Sequence, residues 1–111
     1  MRKISKVFDL VGVELEVNVI SVIEEQINIL NENYGADRDI NNDLGGYVVI
    51  AENIVDIEIL KQGKLQGLIP EYTDIIGRSE GVNWTSSLFL LSSDVAIVVV
   101  TTEELSKFLL E

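Results

Sequence analysis

With Asn41 as its first position, the stretch NNDLGGYVVIAE sets Asp43 third, Gly46 sixth and Glu52 twelfth. Calcium loops present oxygen ligands at alternate positions, turn sharply at a sixth-position glycine and close with a glutamate at the twelfth. Two departures weaken the match. Asn41 stands where an aspartate is wanted, and Gly45 brings no side-chain oxygen. YVVIA then reads as a strand, where an EF-hand would enter its second helix. The segment Asp37–Glu52 therefore reads as an Asx-rich turn whose residues bond their own backbone. Calcium or small-ligand binding stays as the minor alternative, and no metal or cofactor is expected.

Elsewhere the chemistry is bounded by what the chain lacks. There is no histidine and no cysteine. That removes thiol nucleophiles, Ser-His-Asp triads, imidazole acid–base work and ordinary zinc or haem ligation. GKLQG places Lys64 between glycines without P-loop spacing, and no GxGxxG occurs, so GKLQG reads as an exposed turn. Catalysis by carboxylates alone needs two acids facing each other across a cleft. The acids here are scattered from Asp9 to Glu111. The expectation is a protein that is not an enzyme.

Contact residues are the other possibility. Tryptophan and tyrosine anchor interfaces because they bury much area with few rotamers and keep a polar handle. Trp84, Tyr72 and Tyr47 are candidates, with core packing as the alternative for each. Trp84 follows the loop-like GRSEGVN and stands near a strand start. Glu24, Glu25 and Glu32 join them as a possible interface, because they fall on the polar side of an amphipathic helix.

Nineteen acids against eight bases give a formal charge of −11. Such a charge opposes nucleic acid and anionic lipid, both polyanions, and favours a basic protein partner. The same excess also serves solubility alone. Without cysteine the chain is no disulfide scaffold. Lys6, Asp9 and Glu14 interrupt the N-terminal apolar run short of a signal-peptide core of roughly 7–15 residues. Leu88–Val100, with Asp94 inside it, falls short of the roughly 20 apolar residues of a membrane span. A cytoplasmic protein without a membrane segment is expected.

These residues must be positioned by a domain of 111 residues, one α+β unit over residues 1–111 by its length. Ile20, Ile23, Ile27, Leu30 and Tyr34 mark one face of a helix ending at Gly35, and Val19, Val22 and Ile29 widen that face to nearly half the cylinder. Ile4–Val17 reads as extended, from the alternation of Val13, Leu15 and Val17. Asn53–Gln62 carries helix caps and a strand-like alternation together, and the caps favour helix. A short strand falls near Tyr72–Ile76. TSSLFLL and VAIVVV form a hairpin turning at Ser92–Asp94, with Val95–Val100 as a central strand because both of its alternating rows are apolar. Thr101 and Glu104 fit a capping box, with Leu105, Phe108 and Leu109 on the inner face of a terminal helix.

The expected fold is a largely antiparallel sheet of about four or five strands with helices packed on it. The expected function is a small acidic protein-binding module, of the kind an inhibitor, an immunity factor or a bacterial or phage mobile-element accessory protein would be. A self-associating subunit, dimerising through the Ile20–Tyr34 helix, is the alternative.

Overall fold

Val95–Val100 is a run of β-branched and small apolar residues, which suits a strand covered on both faces. In the computed structural model, which describes residues 1–34 and 45–110, this run is the body of β5 (Val95–Thr102), and all six side chains are buried. The other strands are β1 (Arg2–Ile4), β2 (Gly45–Ile50), β3 (Tyr72–Ser79) and β4 (Val82–Ser92). Among the described residues they form one sheet in the order β1-β2-β5-β4-β3, with β5 at its centre. β2 runs parallel to β5, and the remaining pairs are antiparallel. The fold is α+β, with a mixed, mostly antiparallel sheet of five strands.

Alternation along β2 and β5 splits the core in two. Val48, Ile50, Ala96, Val98 and Val100 face α1 (Val17–Tyr34), which buries Val19, Ile23, Ile27 and Leu30 against them. Tyr47, Val49, Ile97 and Val99 point the other way. There they meet Ile57 and Leu60 of α2 (Ile54–Gln62), and Leu109 from the turn that follows α3 (Glu103–Ser106). The apolar C-terminal stretch is thus core between two helical layers.

The caps at Asn53–Gln62 settle that segment as helix. Asn53 Oδ1 accepts from Asp56 N at 2.9 Å, and Gly63 N donates to Ile59 O. Of the apolar residues that alternate there, Ile57 points inward and Val55 and Ile59 outward.

Three expectations are corrected. Ile4–Val17 is not extended throughout: β1 ends at Ile4, and a 3₁₀ turn follows at Val7–Leu10. The cause is Asp9, whose carboxylate accepts from Ser5 N and Lys6 N, each at 3.1 Å. The Ser5 N–H foremost, with Lys6 N–H and the Ser5 hydroxyl, holds this carboxyl below its ordinary 3.8. Val13 and Leu15 pack on the α1 side without a strand partner, and α1 starts at Val17. Secondly, the buried stripe of α1 is narrower than half a cylinder, because Ile29 is 55% exposed. Thirdly, Thr102 rather than Thr101 caps α3, accepting from Leu105 N at 3.3 Å. Thr101 stays in β5, paired with Thr85. Beyond Ser106 the chain tightens to 3₁₀, about 120° per residue, which keeps Leu109 inside and leaves Phe108 exposed.

The β3–β4 hairpin runs through GRSEGVN, a segment that reads as a loop. Its two-residue turn has φ 54° at Glu80 and 80° at Gly81, the primed geometry that matches strand twist. Glutamate is an unusual first residue for that turn, which hid the signal. At the bulge, Gly77 has φ 150°, and a Cβ there would lie 2.8 Å from Asn18 Nδ2. Asn18 uses that nitrogen to bond Arg78 O at 3.1 Å. A capped, bulged β3 and a three-residue β1 blunt both sheet edges against pairing with other chains.

Those two glycines make a paired prediction. A Cβ at Gly81 meets nothing within 4 Å, so Gly81→Ala costs only its backbone conformation, about 1 kcal/mol. Gly77→Ala also displaces Asn18 and is expected to cost about 2 kcal/mol. Urea midpoints compare them, and equal losses would mean that the Asn18 contact contributes nothing.

Candidate functional site

Parallel strands carry their following loops to one end of a sheet, where α/β proteins place ligand clefts. Here β2 and β5 both end beside Glu52 and Thr102. The β3–β4 turn brings Glu80 to the same end, and the link before α1 brings Glu14 and Leu15. Together with Trp84, early in β4, these residues line a hollow of about 270 Å³. An adjoining hollow of about 380 Å³ shares Glu14 and Glu52 and reaches Arg2, Ile50 and Asp56.

The two hollows differ in how their polar groups are engaged. Asp56 is buried and occupied: its Oδ2 accepts from Glu52 N at 3.2 Å, and Oδ1 lies 3.7 Å from the Met1 amino group. Arg2 is turned to Val11 O at 2.7 Å. The carboxylates of Glu14, Glu52 and Glu80 are exposed and have no hydrogen-bond or ion-pair partner among the described residues. Trp84 is 8% exposed, and its indole N–H is enclosed without an acceptor. No three acidic side chains among the described residues stand close enough to share a metal ion. The cleft therefore offers separate carboxylates around an aromatic wall, and the contacts it can make are with cations and with a hydrogen-bond acceptor.

The six candidate contact residues do not form one patch. Tyr47 is 1% exposed on the α2 side of the sheet, with its hydroxyl 3.2 Å from Lys64 Nζ and its ring between the Lys3 and Lys64 ammoniums. Trp84 is packed on the α1 side and walls the cleft. Both take the core placement. Tyr72 opens β3, 40% exposed, beside a shallow apolar groove with Ile29, Leu30, Tyr34, Leu88 and Val98. Burial, and after it the charge of Asp74, pushes the Tyr72 hydroxyl above its usual range. Glu24 is half-buried, and Glu25 and Glu32 are exposed on α1.

Sequence reasoning missed Glu14 and Glu80 as site residues, and it met Glu52 only as a calcium position. Nothing local marks them, because their proximity arises from where three connections end.

The calcium register is not supported by the strand that runs through it. Asn41 and Asp43 lie outside the described residues. Gly46 lies inside β2, where a Cβ would meet Leu30 and Tyr34 at 3.1–3.2 Å. Six residues of extended chain carry Glu52 roughly 20 Å onward, too far to close on the same ion. Millimolar calcium is expected to leave the melting temperature unchanged, since a ligand of the native state raises it by mass action. A rise that disappears in Asp43→Ala would reverse this.

No protein-family model matches the chain, and no curated protein or solved structure matches it significantly. Among the described residues no helix is long and apolar enough to cross a membrane.

Proposed function

We propose that this chain is a small non-catalytic module that acts by binding another protein with a basic surface. The observation that carries it is the unpaired acid excess. With a formal charge of −11, carboxylates such as Glu25 and Glu32 on α1 and Glu14, Glu52 and Glu80 at the cleft stand exposed without cationic partners among the described residues. Such a surface repels nucleic acid and anionic lipid and speeds encounter with a basic protein. The absence of histidine and cysteine leaves few groups for catalysis. An inhibitor, an immunity factor or a mobile-element accessory protein working in the cytoplasm fits this size and charge.

The test is affinity capture followed by stopped-flow measurement of the captured pair. The association rate should fall as salt rises, and the protein should not retain duplex DNA at low salt. The groove beside Ile29 and Tyr72 favours a second reading, self-association. Apolar contacts resist moderate salt screening. A salt-resistant homodimer in sedimentation, with no partner captured, would replace the first reading with the second.

A further inference from the structure

We infer that the cleft lined by Glu14, Leu15, Glu52, Glu80, Trp84 and Thr102 receives an arginine side chain from an extended segment of the partner. This rests on the protein-binding reading and gives it a chemistry. Two independent observations meet at the cleft. The first is the set of three carboxylates with no partner among the described residues, delivered by three different connections to one hollow of about 270 Å³. The second is Trp84, nine-tenths buried in its wall, with an indole N–H that has no acceptor.

A buried donor left unpaired in the free chain gains a hydrogen bond when an acceptor arrives. A metal ion or a simple ammonium has no acceptor to offer. A peptide segment has both parts: a cationic side chain for the carboxylates and main-chain carbonyls for the indole. Arginine suits the walls better than lysine. Its guanidinium carries five N–H donors in a planar fork, stacks on aromatic rings and is more weakly hydrated than an ammonium. Separated carboxylates, none of them grouped tightly enough to hold one metal ion, match a fork better than a point charge. Leu15 supplies apolar surface for the aliphatic stem.

The chain has a single tryptophan, so its indole N–H gives one resolved signal. The probe is a blocked Gly-Gly-Arg-Gly-Gly peptide titrated into the ¹⁵N-labelled protein, with lysine and citrulline counterparts alongside. The arginine peptide should shift the Trp84 indole resonance saturably, the lysine peptide more weakly, and the uncharged citrulline peptide not at all. Glu52→Gln with Glu80→Gln should weaken binding about tenfold, as expected for losing charge-assisted hydrogen bonds. Glu25→Gln with Glu32→Gln removes the same charge from α1 and should leave the affinity within about twofold, since exposed charges far from the cleft are screened. All four positions are exposed, so unchanged melting temperatures will show both variants folded.

No saturable indole shift, equal binding of citrulline or lysine, or equal loss in the two variants would overturn the assignment. Failure here with a salt-dependent protein complex still captured removes the arginine cleft and leaves the module reading intact. A saturable arginine shift with no protein partner has the opposite meaning: the cleft stands and the module reading falls.

Discussion

Ile97→Asp is expected to leave the chain without a cooperative fold. Ile97 sits in the middle of β5, the central strand, with no exposed surface. It pairs in register with Tyr47 on one side and Phe89 on the other, and all three belong to the cluster under α2. Neither neighbour can neutralise a carboxylate there. Removing one ion from water into such a place costs several kcal/mol even after relaxation. A domain of this size has only about 5–15 kcal/mol of stability in total. The conservative change Ile97→Val removes one methylene and should cost about 1 kcal/mol. Far-UV circular dichroism with urea unfolding compares the two. An aspartate variant that melts within a couple of degrees of the parent would mean that this strand is not central.

Trp84 gives the second large effect, with a sharper internal control. Its ring packs in the cluster with Val19, Ile23 and Val100, so Trp84→Ala should cost about 3–5 kcal/mol through lost burial and the cavity left behind. Trp84→Phe keeps most of the ring and removes an enclosed N–H that no group satisfies. Losing that unpaired donor relieves a desolvation cost, which offsets part of the lost volume, and the net change should stay within about 1.5 kcal/mol. Circular dichroism must serve as the probe, because both variants lack the only tryptophan. Equal destabilisation in the two variants would show that the indole N–H has an acceptor after all. If Trp84→Phe folds normally, it should also lose part of its arginine-peptide affinity, which ties the stability argument to the cleft.

Much of the secondary structure was legible locally. Ile23, Ile27 and Leu30 lie on one helical face whatever they pack against, and all three are buried. Asn53 and Gly63 bracket α2 with hydrogen bonds that reach only a few residues along the chain. The two apolar rows of Val95–Val100 implied cover on both faces, and the clusters on either side of β5 supply it. Where local patterns were degenerate, reading failed. Thr101 and Thr102 cap equally well on paper, and pairing with β4 as far as Trp84↔Thr102 decided between them. Val13 and Leu15 alternate as strand residues do, yet no strand edge lies beside them.

The sequence by itself determined the absence of imidazole and thiol chemistry, the −11 charge, the α1 helix and the doubly covered central strand. Each follows from composition or from contacts within a turn or two of chain. Only the tertiary structure decided that Tyr47 is closed between lysines, that Trp84 is a wall and not a protrusion, and that Glu14, Glu52 and Glu80 share one cleft. Those facts depend on strand order and register, which are selected by packing between distant segments. A side chain carries no mark of which distant neighbour it will meet, so a site assembled from connection ends becomes visible only when the sheet is formed.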